Sequence, residues 1–249
     1  MAVKRKPTIY QVAEAAGVSI ATVSRVFNGS DAVLPDVQRK VKAAAARMHY
    51  VPSASARNLS TQRTESIGLI LPVLYGEFFS EILYGIDVGM RNSSFTLMLS
   101  STHDHREEFD ASFRNMQGRV DALIVMVLND SLLDSIAAMN VRVPMVLIGA
   151  ERSEITGSSV AVDNTAGAAA VANHLIGQGF KRLAVVTGSP DNIESAQRLE
   201  GFLSGCEEHG VARGTVTILP GTFSQRSGYD AGTGFLSLKQ RPEAVFCSN

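Results

Sequence analysis

Thr8-Ile-Tyr-Gln-Val-Ala-Glu-Ala-Ala-Gly-Val-Ser-Ile-Ala-Thr-Val-Ser-Arg-Val-Phe-Asn28 is the stretch that decides how the N-terminal part of this chain folds. Thr8 is placed to cap a helix whose Ile9, Val12, Ala13 and Ala16 share one face, and Gly17 stops it because glycine enters the left-handed region freely. After a tight turn Ser19 caps a second helix, 20–27, that turns Val23, Val26 and Phe27 inward and Ala21, Thr22, Ser24 and Arg25 outward. Pro35 suits the first turn of a third helix, in which Val37, Val41, Ala44, Ala45 and Met48 recur at three-to-four spacing. Three short helices can then enclose one small core. Two helices around a glycine turn, the second polar on its outer face, form a helix-turn-helix, whose second helix fits a DNA major groove. A small bundle with a merely solvated face gives the same local pattern.

Charge helps to separate those two readings. Up to Glu65 ten Lys and Arg stand against four acidic residues, a formal +6, and the rest of the chain carries −7 of the overall −1. A basic head on an acidic body points to a polyanion as the head's partner. The 249 residues, 45% hydrophobic and 19% charged, suffice for a small domain joined to a larger one and exclude disorder. The longest apolar run, 122–128, is far short of the ~20 residues of a membrane span, and no signal peptide precedes it, so the expectation is a cytoplasmic protein with no membrane partner. Cys206 and Cys247 make neither a disulfide framework nor a zinc site and are expected to be reduced, at least half-buried thiols.

The polar stretch 60–66 reads as the boundary, giving a head over 1–60, a linker over 61–66 and a body over 67–249. In the body, apolar strands at 66–71, 95–100, 121–127, 144–149, 182–187, 215–219 and 244–248 alternate with helices at 77–91, 104–116, 130–139, 164–178, 192–209 and 227–239. That alternation predicts an α/β body of doubly wound parallel sheets with ligands at the carboxyl ends of the strands, beside an all-α helix-turn-helix head. Catalytic signatures are lacking. Gly228-Tyr-Asp-Ala-Gly-Thr-Gly234 has the wrong context for a dinucleotide loop, and no phosphate-loop Gly-Lys-Ser/Thr or Gly-x-Ser-x-Gly elbow occurs. His103-Asp104-His105 reads as a solvated helix start rather than a metal site. The expectation is no enzyme, no cofactor and no metal.

Many stretches resemble the lactose-repressor (LacI/GalR) family of bacterial transcription regulators. They include Val12-Ala-Glu-Ala-Ala-Gly-Val-Ser19, Thr22-Val-Ser-Arg-Val-Phe-Asn28, Tyr50-Val-Pro52, Ala56-Arg-Asn-Leu59, Ile67-Gly-Leu-Ile-Leu-Pro72, Val162-Asp-Asn164, Arg198-Leu-Glu-Gly-Phe202 and Ala244-Val-Phe-Cys-Ser-Asn249, in family order. The resemblance implies a repressor, dimeric or larger, on a near-palindromic double-stranded operator. It also implies a periplasmic-binding-protein-like body that takes a small effector, a sugar or sugar derivative, between two subdomains. On the same ground the chain is expected to lack the C-terminal part of that body, since it stops at Asn249 just after a strand.

The expected DNA contacts are Thr8, Tyr10, Ser19, Ile20, Ala21, Thr22, Ser24, Arg25 and Asn28 in the head. Arg25 can grip guanine bidentately; Ile20 and Ala21 offer at most a thymine-methyl contact, and Ile20 alternatively packs in the turn. By resemblance 53–60 is a hinge helix whose Ala56, Arg57 and Leu59 enter the minor groove, Leu59 as the wedge, unless it is an ordinary linker residue. Effector candidates are Tyr75, Phe78, Phe79, Asp104, Arg198 and Phe223. Their rival roles are core packing for Phe78 or Phe79, a helix cap for Asp104 and a surface ion pair for Arg198. Three departures from the family stand out. Leu34 replaces a capping Ser or Thr, at a cost of about 1 kcal/mol. Ser53 replaces an Asn, and Gly149-Ala150 replaces a common Asp-Arg.

Overall fold

The computed structural model describes residues 7–52, 58, 63–74, 76–103, 105–149, 155 and 157–249. The chain divides into two compact units, Met1–Thr64 and Glu65–Asn249.

In the first unit lie α1 (Ile9–Ala16), α2 (Ile20–Phe27) and α3 (Pro35–Arg47). Thr8 and Gln11 form a capping box on α1, and Gly17 ends it at φ 65°. The Ser19 hydroxyl accepts from the Thr22 N–H at 3.1 Å and so caps α2. Leu34, 73% exposed, gives α3 no side-chain cap, as its sequence requires. Val12, Ala13, Val23, Val26, Val33, Val41, Ala44 and Ala45 are buried together, and the Phe27 and Tyr50 rings close one side of this core at 5.8 Å.

The second unit carries two parallel sheets. The first orders its strands β2-β1-β3-β4-β5, with β1 (Ser66–Leu71), β2 (Thr96–Ser101), β3 (Ala122–Met126), β4 (Met145–Ile148) and β5 (Ser158–Val160). Ile70 packs with Phe109 and Phe113 of α5 (Arg106–Met116) and Leu132, Leu133 and Ile136 of α6 (Asp130–Ala138). Its neighbours Leu69 and Leu71 point the other way, toward Phe79, Ile82 and Ile86 of α4 (Glu77–Met90). The second sheet orders β7-β6-β8, with β6 (Leu183–Val186), β7 (Thr217–Leu219) and β8 (Ala244–Cys247). Leu183 and Val185 pack with Ala168 and Ala172 of α7 (Asn164–Gly177) and Phe202, Leu203 and Cys206 of α8 (Ile193–Glu208). Gly201 permits the close approach of these two helices, since a Cβ there would stand 2.1 Å from the Thr165 carbonyl oxygen. In each sheet the first strand lies inside and the chain reverses around it, the arrangement that opens a crevice at the carboxyl ends of the strands.

Several expectations needed correction. β5 was not anticipated: three residues, Ser158-Ser-Val160, are too few and too polar to show a strand pattern. The predicted strand over 215–219 begins instead as a 3-10 turn, Arg213–Thr215, and α9 (Gln225–Leu236) starts two residues before its predicted position because Ser224 caps it. Burial on both faces holds for the central strands only; β2 exposes Leu99 and β7 exposes Ile218. Cys206 is buried, but Cys247 is exposed, because β8 is an edge strand whose alternate residues Val245 and Cys247 face outward.

Candidate nucleic-acid interface and ligand site

The core of the first unit dictates what α2 presents outward. With Val23 and Val26 fully turned in, residues 20, 21, 24, 25 and 28 fall on the opposite side of the helix. Ser19, Ile20, Ala21, Arg25 and Asn28 are exposed, as are Thr8 and Tyr10 at the start of α1, while Thr22 and Ser24 are half-buried. Ile20 is 40% exposed. Among the described residues Arg25 forms no ion pair or hydrogen bond through its guanidinium. Lys40, Lys42 and Arg47 on α3 are exposed too, whereas Arg39 is paired with Asp36. The α2 face thus combines small residues with a guanidinium that no described residue engages, on a unit whose α3 carries further exposed cations, and a helix of that kind can enter a major groove. Ala56, Arg57 and Leu59, on the expected hinge, lie outside the described residues.

In the second unit the structure brings together Arg198 and Phe223. The Arg198 Cζ lies 5.8 Å from the Phe223 ring centroid. Arg198 Nε donates to Asn164 Oδ1 and Nη1 to the Ser248 carbonyl oxygen, both at 2.7 Å, and Nη2 donates to Glu194 Oε2 at 3.2 Å. One side chain on α8 therefore ties the start of α7 to the end of β8. Phe223 has φ 58°, a left-handed backbone that a bulky residue adopts only when its surroundings hold it there. Gly188 is part of that hold: a Cβ at 188 would stand 2.0 Å from the Phe223 Cζ, so the ring lies against bare backbone. Ser195 in turn fixes that loop by accepting the Gly188 N–H at 2.9 Å.

The same helix start reaches the first sheet. The Ile193 N–H donates to the Leu128 carbonyl oxygen at 2.8 Å, just past β3. Glu194, only 6% exposed, directs Oε1 toward Gly149 at the end of β4, where a Cβ would stand 3.2 Å from it. Burial pushes the Glu194 carboxyl up from its ordinary value, against the pull of the Arg198 guanidinium. Carboxyl ends of both sheets thus meet at Glu194 and Arg198.

Of the other expected effector residues, Phe79 packs against the core of the first sheet and Phe78, exposed, stands edge-on to it at 5.4 Å. Tyr75 and Asp104 lie outside the described residues. Glu194, Asn164 and Gly188 were missed from sequence. An acid four residues before Arg198 was a legible signal for the first. The other two are brought to the site by chain folding alone.

The family model "Bacterial regulatory proteins, lacI family" matches residues 8–53, and "Periplasmic binding proteins and sugar binding domain of LacI family" matches residues 64–249. The chain is 35% identical over 246 residues to the HTH-type transcriptional repressor PurR of Serratia proteamaculans (strain 568), covering 96% of this chain and 71% of that protein. The fold is that of a Lac repressor dimer solved with operator and the anti-inducer ONPF, at TM-score 0.84 and 24% identity, covering 98% of this chain and 74% of that one. A transcriptional regulator CelR–cellobiose complex matches at TM-score 0.63 and 28% identity, covering 97% and 73%. The chain belongs to the LacI family of bacterial regulatory proteins.

Proposed function

We propose that this chain acts as a dimer on a near-palindromic DNA operator, as a repressor, with a carbohydrate or carbohydrate-like ring at the Arg198–Phe223 site setting its affinity. The observation that carries the DNA half is the outer face of α2, where Arg25 stands exposed and, among the described residues, without a partner for its guanidinium, opposite the buried Val23 and Val26. Arg25 reads a guanine edge; Ile20 and Ala21 touch thymine methyls; Thr8, Tyr10, Ser19, Thr22, Ser24 and Asn28 hold backbone or base edges. Residues 1–60 are the DNA-binding part, 61–66 the linker and 67–249 the effector-binding part. The segment 53–60 acts as a hinge, with Ala56 and Arg57 in the minor groove and Leu59 as the wedge, so that two subunits bend the operator together. The protein works in the cytoplasm and catalyses no reaction.

On the ligand side, Phe223 supplies a face for the apolar side of a sugar ring, and Arg198 and Glu194 supply polar groups for its hydroxyls. The cellobiose bound by the CelR relative supports a carbohydrate. Tyr75, Phe79 and Asp104, which follow the first and second strands in sequence, complete the expected set. Effector binding alters the two subdomains' arrangement and thereby the paired hinges, a coupling of about 1–3 kcal/mol. Selection of genomic fragments by the purified protein, followed by salt titration, tests the reading. Affinity should fall steeply with salt, and Arg25→Ala should lose about 1–3 kcal/mol of discrimination at one base pair per half-site. Salt-independent binding, or an unaltered sequence preference in the variant, contradicts it.

A further inference from the structure

We propose that Glu194 makes the effector site selective for an uncharged ring rich in hydrogen-bond donors and closes it to anionic ligands such as phosphate esters. This inference rests on the Arg198–Phe223 site being the place where effector binds. An arginine beside an aromatic ring in the second turn of a helix reads, by itself, as an anion site. Here that charge is already answered. Glu194 Oε2 accepts from Arg198 Nη2 at 3.2 Å, and the carboxylate belongs to the first turn of α8, where it also offsets the positive end of the helix. Two more of the five guanidinium N–H groups are committed to Asn164 and the Ser248 carbonyl, which among the described residues leaves two donors and no net charge on the Arg198–Glu194 pair.

The remaining carboxylate oxygen defines what the ligand must bring. Oε1 faces Gly149, and no described residue donates to it. Any side chain at 149 would crowd this oxygen, and φ 90° there strains every residue but glycine. A ligand hydroxyl or N–H satisfies Oε1; a phosphate or carboxylate brings a like charge against a nearly buried carboxylate and is rejected. Glu194 is thus a specificity-determining residue.

Calorimetry on the full chain with inorganic phosphate as the probe tests this without knowledge of the effector. Wild type should show no saturable phosphate binding. Glu194→Gln, nearly isosteric, exposes the Arg198 charge and should gain about tenfold or more in phosphate affinity, the effect of removing one like charge at close range. That gain should vanish in Glu194→Gln/Arg198→Ala. Saturable, Arg198-dependent phosphate binding by wild type overturns the proposal, as does a folded Glu194→Gln variant that gains nothing. Wild type is also compared with neutral pyranoses and their 6-phosphates, which keeps the test decisive should the variant not fold: preference for a phosphorylated member overturns the proposal. A pyranose panel with no binder, alongside a phosphate-binding Glu194→Gln variant, removes the carbohydrate reading and leaves the charge assignment standing.

Discussion

Replacing Arg198 by alanine strands a carboxylate. Glu194 is 6% exposed, and Arg198 is its charged partner. Hydrogen bonds to Asn164 and to the Ser248 carbonyl, each 2.7 Å, are lost at the same time. Removing one member of a fully buried pair costs about 3–5 kcal/mol, whereas an exposed pair is worth about 0–1 kcal/mol. With the Arg198 side chain 21% exposed, the expected loss for Arg198→Ala is about 2–4 kcal/mol. Most of that loss is the unpaired charge rather than the missing contacts, so adding Glu194→Gln should restore about half of it or more. Burial already raises the Glu194 carboxyl, and without the guanidinium it rises further. A folded-state pKa above the unfolded value stabilises at low pH and is lost as pH rises through it, so the Arg198→Ala deficit should shrink on acidification. Urea unfolding followed by far-UV circular dichroism is the assay, since the chain has no Trp. An Arg198→Ala loss below about 1 kcal/mol, or a double variant no more stable than Arg198→Ala, refutes the reasoning.

Three further outcomes are expected. Leu34→Ser should stabilise the first unit by about 1 kcal/mol, because α3 has no side-chain cap and position 34 is open to solvent; a melting temperature no higher than wild type contradicts this. Gly201→Ala should destabilise the second unit by about 1–3 kcal/mol, because its Cβ would meet the Thr165 carbonyl oxygen at 2.1 Å and must part α7 from α8; unchanged urea unfolding counts against that packing. The Arg213 guanidinium beside Glu200 holds that carboxyl at about 2, below its usual 4.5. Its stabilising effect is complete above pH 4.5 and fades as pH falls toward 2, so Glu200→Gln should flatten stability against pH in that window, and superimposable acid limbs would exclude the pairing.

How much was legible beforehand follows from the range of each interaction. The three head helices were readable because their signals are local: Thr8 and Ser19 cap within three residues, Gly17 stops α1, and Val12, Val23 and Val41 recur at helical spacing. Central strands such as Ile67-Gly-Leu-Ile-Leu71 were readable from continuous apolar runs bounded by polar turns. β5 was not, since Ser158-Ser-Val160 acquires strand structure only from pairing with β4. In the ligand site Arg198 and Phe223 were singled out through resemblance, but the Arg198–Asn164 and Arg198–Ser248 contacts join residues 34 and 50 positions apart. Local pattern contains nothing about such pairs. Glu194 is the informative omission: its i,i+4 relation to Arg198 was visible, yet only the fold shows that the pair is nearly buried and lies against Gly149.

The most direct measurement is the affinity of the purified protein for its selected operator, by fluorescence anisotropy, with and without a sugar from the pyranose panel, for wild type and Arg198→Ala. The ratio of the two affinities should differ from one by about 5–150-fold in wild type, the span of an ordinary allosteric coupling, and collapse toward one in Arg198→Ala. An identical ratio in both proteins would contradict the account.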